Sequence, residues 1–322
     1  MRVILCVIIL FGLHTVYAKK SNELVFKFED KIDSMEVLAD TIRYSTSTIG
    51  KLNANNSFRE LLRDVLTDSL SIFYDFKKVS NLSVVTSPDN QFRIYTWTLK
   101  MGNSEYDYYG FTQYQRKRKK SVLSPVKIEN FVYELNNKSS SIGDDELAKL
   151  DSSNWLGCVY YNIVAPLKKN DDTYLLLGWD GFGYRSTKKI IETVKFSNKG
   201  VVTFGDKIIR YDLTHGTKAA PKFQTKSRII FEYSGNVSMT CNYNSSLEMV
   251  IFDHLAPSNP AFANLKFTYA PDFTYDGLAY EKKKWIYKKD VDVRNREDIK
   301  PVKWKPKDTK DRTENTLIPM RE

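Results

Sequence analysis

The stretch from Gly178 to Arg185 combines aromatic rings, an acid and a base on a glycine-rich backbone. Aromatic faces beside hydrogen-bonding groups suit the binding of sugars or peptides. In the alternative interpretation, which we favour, the stretch is a structural hairpin with its tryptophan in the core and Asp-Gly in the turn. The candidate ligand-binding residues here are Trp179, Asp180, Tyr184 and Arg185.

His254 and Asp276 are the other candidate ligand-binding residues. His254 follows Asp253 at the end of a predicted strand, but adjacent strand residues point to opposite faces, so Asp253 cannot orient His254 directly. Serine hydrolysis needs a nucleophile, a base and an orienting acid, and no Gly-x-Ser-x-Gly elbow is present. We therefore predict no catalytic residue and assign His254 an ordinary hydrogen-bonding role.

Hydrolysis by carboxylates is the alternative function. A glycosidase needs two carboxylates that face a cleft about 5–10 Å apart. Acids in or beside predicted β segments are Asp180, Glu232, Asp253 and Asp276. Nothing in their spacing brings any two together, and a single acid at a turn is commonly a turn former.

Metal and cofactor chemistry has little support in the sequence. The chain contains no Cys-x-x-Cys, His-x-x-x-His or His-Glu-x-x-His motif, so we predict no metal site and no cofactor. The acidic runs 144–146 and 171–172 could bind calcium, but neither has EF-hand spacing. We expect both runs to be solvated turns.

The first eighteen residues predict export. Arg2 precedes the apolar run Val3–Leu13, and Val16-Tyr17-Ala18 has the small-x-small pattern of a cleavage site, so residues 1–18 are predicted to be a signal peptide. The apolar run is too short to span a bilayer, and no later segment is long enough. We expect a protein of the periplasm, the outer membrane or the exterior, with no transmembrane segment after cleavage.

Two cysteines remain after removal of the predicted signal peptide, Cys158 and Cys241. In an oxidising compartment they are candidates for one disulfide. The alternative, which we favour, is two buried free thiols, because a core of this size does not need a covalent link.

The net charge of +10 is concentrated in two segments, residues 116–120 and the stretch from Lys282 to the C-terminus. We interpret the first as a solvated hairpin loop and residues 293–322 as a disordered, basic polar tail. The alternative is contact with an anionic surface. No RNA- or DNA-binding motif accompanies the charge, so we predict no nucleic-acid partner.

The elements that would position these residues change in type near residue 73. Ile32, Met35, Leu38 and Ile42 form a helical stripe, and Ser57-Phe58-Arg59-Glu60 predicts the start of a second helix after a loop. The predicted domains are a helical segment, 19–72, and an antiparallel β-rich domain, 73–292. We expect a mainly β, α+β protein with antiparallel meanders.

Acidic turns that precede a strand and a tryptophan recur in the β-rich region, and the stretch 271–277 is one of them. Such repetition would fit a propeller-like design, but the spacing is irregular. A sandwich is equally compatible with the pattern.

Several stretches of the β-rich region resemble the sequences of a group of secreted proteins of unknown function from Bacteroidetes bacteria. The resemblance covers roughly residues 55–292, and the tail after Asn295 lies outside it. The resemblance implies that the protein comes from a Gram-negative cell, and it assigns no biochemical activity. The matching stretches are Leu82–Trp97, Asn154–Tyr161, Leu175–Gly181 with Lys188–Glu192, Arg228–Ser234, Met249–Pro257 and Pro271–Gly277.

These observations predict an exported protein with a binding or structural role and no catalysis. Its partner would be an envelope or extracellular protein, a glycan or an anionic surface. Hydrolysis of a glycan or peptide remains the alternative.

Overall fold

The fold is mainly β, as the sequence predicts. The computed structural model describes residues 27–101, 105–118, 126–167, 171–181, 183, 185–214 and 220–294. Of these residues, 47% lie in strands and 21% are helical. The predicted signal peptide, residues 1–18, lies outside the described residues, as does the predicted tail after residue 294.

Two helices open the described chain. Helix α1 covers residues 27–44 and buries the predicted apolar stripe. Helix α2 spans Thr48–Thr67, and the side chain of Ser47 caps it by accepting the N–H of Gly50 at 3.1 Å. The predicted helix start at Ser57 is wrong, because α2 already begins at Thr48. Ala54 and Asn55 are buried in its first half, although asparagine has a low helix propensity.

The first sheet follows with strand order β1-β2-β3-β4. The basic run predicted to lie in a loop begins inside this sheet, because Arg116, Lys117 and Arg118 pair with Glu129, Ile128 and Lys127. Residues 119 and 120 lie outside the described residues. The strands are β1 Leu82–Thr86, β2 Phe92–Met101, β3 Glu105–Arg118 and β4 Lys127–Leu135.

A middle sheet is built on the long strand β8. Its order is β5-β9-β8-β7-β6, and β12 pairs with the part of β8 that β9 leaves uncovered. The short helix α3, Ser139–Ile142, precedes this sheet. The strands are β5 Leu150–Asp151, β6 Val159–Val164, β7 Tyr174–Asp180, β8 Ser186–Phe196, β9 Val202–Phe204 and β12 Arg228–Ser234.

The third sheet has the order β11-β10-β16-β15-β14-β13, with β10 and β16 parallel. The stretch 271–277, predicted to be a turn, lies inside β15. The 3₁₀ helices Pro260–Phe262 and Lys266–Thr268 connect β14 to β15, and another spans Ser69–Phe73. The strands are β10 Ile209–Asp212, β11 Phe223–Lys226, β13 Cys241–Asn244, β14 Met249–Pro257, β15 Tyr269–Glu281 and β16 Lys284–Lys288.

These elements stack as four layers around three apolar cores. One core lies between the helices and the first sheet, one between the first and middle sheets, and one between the middle and third sheets. Along β7, Leu175 and Leu177 face the third sheet, whereas Leu176 faces the first. A sheet buried on both faces explains this continuous apolar run. Of the two arrangements left open by the sequence, the stack corresponds to a sandwich.

A buried ion pair lies inside the middle sheet. Arg228 and Glu192 have fully buried side chains, and Arg228 Nε lies 2.6 Å from Glu192 Oε1. The hydroxyl of Tyr160 donates to the second oxygen of Glu192 at 2.6 Å, and Trp155 Nε1 donates to that hydroxyl at 3.0 Å. Both carboxylate oxygens of Glu192 are therefore hydrogen-bonded without water.

Cys158 and Cys241 are free, buried thiols. Cys158 lies in the core between the first and middle sheets, and Cys241 lies in the core on the other side of the middle sheet. No disulfide joins them. Burial raises the pKa of the Cys158 thiol well above its usual value and that of Cys241 to about 12, so both stay protonated and unreactive at neutral pH.

In the described part of the chain, no helix combines the length and apolarity needed to cross a membrane. A separate unit begins at Asp292. In its described residues, the guanidinium of Arg294 pairs with the carboxylate of Asp292 at 2.6 Å.

Candidate functional site

An irregularity in the third sheet brings His254 and Asp276 together. Strands β14 and β15 pair regularly up to Asp253 opposite Tyr275, and pairing resumes with Leu255 opposite Pro271. One residue of β14, His254, therefore faces three residues of β15. Such bulges re-aim a side chain and are common beside functional sites.

The three bulge residues form a tight turn. The carboxylate of Asp272 accepts the backbone N–H of Thr274 at 3.0 Å and its hydroxyl at 2.7 Å. Phe273, between them, has a φ of +69° and a side chain that is 92% exposed. A bulky residue is rarely left-handed, so the bulge holds Phe273 in a strained conformation at the surface.

Asp276 fixes the orientation of His254. Its Oδ2 lies 2.7 Å from His254 Nδ1 and also accepts the hydroxyl of Tyr287 at 2.6 Å. Its Oδ1 accepts the N–H of Asp290 at 3.1 Å. On the other side of the ring, His254 Nε2 lies 3.9 Å from the carboxylate of Asp272. The imidazole therefore lies between two aspartates, one buried and one half-exposed.

This geometry shifts both pKa values in opposite directions. The hydrogen bond that the imidazole donates to Asp276 raises the pKa of His254, against a smaller opposing effect of burial. Burial acts to raise the pKa of Asp276, but the hydrogen bonds from His254, Tyr287 and the Asp290 amide together lower it. The pair therefore favours a protonated imidazole beside an ionised carboxylate.

The pair should stabilise the fold most strongly in mildly acidic solution. A raised His254 pKa gives stability that is complete below 6.5 and is lost as the pH rises through the folded-state pKa. A lowered Asp276 pKa gives stability above 3.8 that is lost as the pH falls through its folded-state pKa. We expect His254→Gln to lower the free energy of unfolding more at about pH 5 than at about pH 9, as measured by urea denaturation. An equal cost at both pH values would contradict this expectation.

A pocket of about 260 Å³ opens beside this pair. One wall is apolar, with Ile229 and Phe231 from β12 and Phe252 and Leu255 from β14. Among the described residues that line it, five carboxylates stand against two lysines and His254. The pocket is therefore acidic although the whole chain carries a net charge of +10. The charged residues are Asp144, Glu146, Glu232, Asp253, Asp276, Lys226, Lys266 and His254.

Glu146 is fastened to the outer edge of β12. Its backbone carbonyl accepts the N–H groups of Ser227 at 2.9 Å and Arg228 at 3.2 Å. Its carboxylate accepts the N–H of Ile230 at 3.0 Å and pairs with Lys226. In the acidic run 144–146, predicted to be a solvated turn, Asp144 and Asp145 are exposed as predicted, whereas Glu146 is half-buried. Asp144 and Glu146 line the pocket.

A second pocket of about 210 Å³ shares Asp144 and Ile230 with the first. Asp180 lines it and accepts the hydroxyl of Tyr108 at 2.5 Å. Lys188, also in its wall, pairs with Asp144 at 2.7 Å. Lys188 lies opposite Asp180 on β7 and opposite Glu232 on β12, so the ion pair stands where the two pockets adjoin.

The predicted site residues therefore separate into two groups. His254 and Asp276 meet in the first pocket, whereas Asp180 lines the second. Trp179 is half-buried, with its ring edge-on to Tyr106 at 5.9 Å. Arg185 is exposed with its guanidinium 5.5 Å from the Phe267 ring, and Tyr184 lies outside the described residues.

Sequence reasoning missed Glu146, Lys226 and Lys266 as pocket residues. The only available signal was the acidic run 144–146, which composition alone assigns to solvent. The prediction that Asp253 does not orient His254 is confirmed, because the Asp253 carboxylate accepts the N–H of Thr240 at 2.6 Å.

Chemically, the first pocket can attract a cation to its carboxylates and can hold or release a proton at His254 Nε2. Within the described residues, no group of three or more His, Cys, Asp or Glu side chains is arranged to hold a metal ion.

Comparison with protein-family models, curated proteins and solved structures found no match to this chain. The resemblance to secreted Bacteroidetes proteins and the cellular location that it implies stay predictions.

Proposed function

We propose that this protein is an exported, non-enzymatic binding protein whose first pocket holds a small ligand with a cationic amine. The periplasm, the outer membrane and the exterior are the compartments proposed for it. The observation that carries the proposal is the excess of carboxylates around an apolar wall in a basic chain. Concave sites with apolar walls and a few convergent polar groups are the usual form of ligand sites.

The carboxylate of Glu232 can accept a further hydrogen bond from a ligand. Glu232 uses one oxygen to accept the Ser186 hydroxyl at 2.6 Å. Within the described part of the chain, its second oxygen has no hydrogen-bond donor. A charge-assisted bond from an ammonium group to such an oxygen is stronger than a neutral hydrogen bond, so Glu232 is the residue we expect to contact the cation.

The apolar wall and the volume limit the rest of the ligand. Ile229, Phe231 and Phe252 offer apolar contact to whatever carries the amine. A volume of 260 Å³ is just below the roughly 300–1,000 Å³ of pockets for drug-sized molecules. The ligand group that enters is therefore small, of the size of one amino-acid side chain.

Three matched probes test this proposal. We expect 2-phenylethylamine to bind at least about tenfold more tightly than 2-phenylethanol or 3-phenylpropionate, because only the amine complements the carboxylates. Isothermal titration calorimetry gives the three affinities. Glu232→Gln should weaken amine binding by about tenfold, whereas Glu60→Gln, on the exposed face of α2, should leave it unchanged. Equal binding of amine and carboxylate would refute the proposal.

Hydrolysis is the second candidate, and one observation favours it. Glu232, Asp253 and Asp276 share a pocket, and buried Asp276 orients His254 as it would orient a general base. Release of p-nitrophenol or p-nitroaniline from chromogenic glycosides or peptides, lost in Asp276→Asn, would establish this candidate. Turnover that survives in Asp276→Asn would assign the activity elsewhere.

A further inference from the structure

The edge of strand β12 that faces away from β8 is only partly paired, and residues of this strand line the first pocket. β12 pairs with β8 in a regular antiparallel register on one side. Beyond the strand end, Gly235 donates its N–H toward β8, to the carbonyl of Arg185. Arg228 and Ile230 donate theirs to Glu146, on the opposite side. Even-numbered residues of β12 therefore direct their backbone groups away from β8.

Glu146 occupies only the first part of this edge. Because backbone groups alternate in direction along a strand, the next groups on this edge are the carbonyl of Ile230 and the N–H of Glu232, both directed away from β8. Among the described residues, neither group has a hydrogen-bond partner. Four consecutive β12 residues, Ile229–Glu232, line the pocket between Glu146 and Lys266. Ile230 and Glu232, whose outward backbone groups lack a partner among the described residues, therefore both line the pocket.

We propose that the ligand of this pocket is an extended peptide segment that pairs with the edge of β12 and places a lysine or arginine side chain among the carboxylates. This rests on the cationic ligand proposed above and names its class. A peptide supplies an N–H for Ile230 and a carbonyl for Glu232 with the spacing of a strand. Addition of a strand to an open sheet edge is an established mode of peptide recognition.

Glu146 already provides strand-like hydrogen bonds to the neighbouring part of β12. Glu146 presents a backbone carbonyl to Ser227 and Arg228 and a carboxylate oxygen to Ile230. A bound peptide would continue this pairing toward Lys266. An isolated amine satisfies the carboxylates alone and leaves the backbone groups of Ile230 and Glu232 to water, so the edge distinguishes a peptide from a simple amine.

The test compares peptides that differ only at the backbone nitrogens. We expect acetyl-Ala-Lys-Ala-amide to bind about tenfold or more tightly than the same peptide with methylated backbone nitrogens, because methylation removes the donors for β12. Acetyl-Ala-norleucine-Ala-amide, which lacks the charge, should also bind about tenfold more weakly. Isothermal titration calorimetry against the full chain gives each affinity.

A pair of protein variants tests the same edge from the other side. Glu232→Ala removes the carboxylate, whereas Glu232→Pro also removes the N–H that faces away from β8. Proline is tolerated where the strand N–H faces outward, and circular dichroism verifies the fold. We expect Glu232→Pro to bind the unmethylated peptide about tenfold more weakly than Glu232→Ala does.

The outcomes separate the two proposals. If 2-phenylethylamine binds and methylated and unmethylated peptides bind equally, strand pairing is refuted and the amine pocket stands. If neither the amine nor the lysine peptide binds, both proposals fail. If Glu232→Pro does not fold, the affinities of the methylated and unmethylated peptides for the unaltered protein decide whether the ligand pairs as a strand.

Discussion

Glu192→Ala should lower the free energy of unfolding by about 3–5 kcal/mol, the cost typical of removing one partner from a buried ion pair. Glu192 and Arg228 are both fully buried, at 2.6 Å between Oε1 and Nε. Without the carboxylate, the guanidinium of Arg228 keeps its charge with no counterion, and the hydroxyl of Tyr160 loses its acceptor. Urea denaturation at constant pH measures the loss.

A double variant separates the buried charge from the packing. We expect Glu192→Leu combined with Arg228→Met to recover most of the stability, because apolar side chains of similar volume often replace a buried pair without cost. Recovery would identify the uncompensated charge as the cause. A loss below about 1 kcal/mol in Glu192→Ala would contradict the expectation.

Trp97→Ala should destabilise the protein by about 3–5 kcal/mol, because it removes a large side chain from the core between the helices and the first sheet. Trp97 is 1% exposed, packs edge-on to Phe58 at 5.1 Å and stacks on Tyr109 at 5.7 Å. Its Nε1 donates to the side-chain oxygen of Asn55 at 2.8 Å. Loss of the ring leaves both a cavity and an unpaired buried amide oxygen.

Trp179→Ala is the matched control for Trp97→Ala. The Trp179 ring is half-buried and has one edge-on contact with Tyr106, so we expect a loss of about 1 kcal/mol or less. Thermal or urea unfolding of the two variants gives the comparison. Equal losses would show that Trp97 does not hold the helices to the sheet as its contacts indicate.

Local pattern predicted most of the elements but not their arrangement. The alternation in Phe92–Trp97 and the stripe on α1 follow from one buried face, so each is readable from the residues themselves. The stack of sheets depends on which core each face enters, as Leu175, Leu176 and Leu177 show, and three identical side chains carry no information about direction. The acidic turn predicted at 271–277 shows the same limit, because a bulge keeps turn residues inside a strand.

The candidate site was only partly predictable. Asp276 and His254 were both candidates, but they lie 22 residues apart, and only the bulge opposite His254 brings them into contact. Glu146 reaches the pocket because its own backbone binds the edge of β12. Residue spacing gives no sign of such long-range pairing, since Glu146 and β12 meet only in the folded protein.

The position of β16 has a consequence for the order in which the chain can assemble. This five-residue strand, Lys284–Lys288, lies between β10 and β15 in the third sheet. Until it is synthesised and in place, β10–β11 and β13–β15 remain two separate ribbons, and the tyrosine that bonds Asp276, Tyr287, is missing. The groups that hold Asp276, and through it His254, are therefore complete only once β16 is in place. A chain released before β16 would lack both a complete third layer and the Tyr287 hydrogen bond to Asp276.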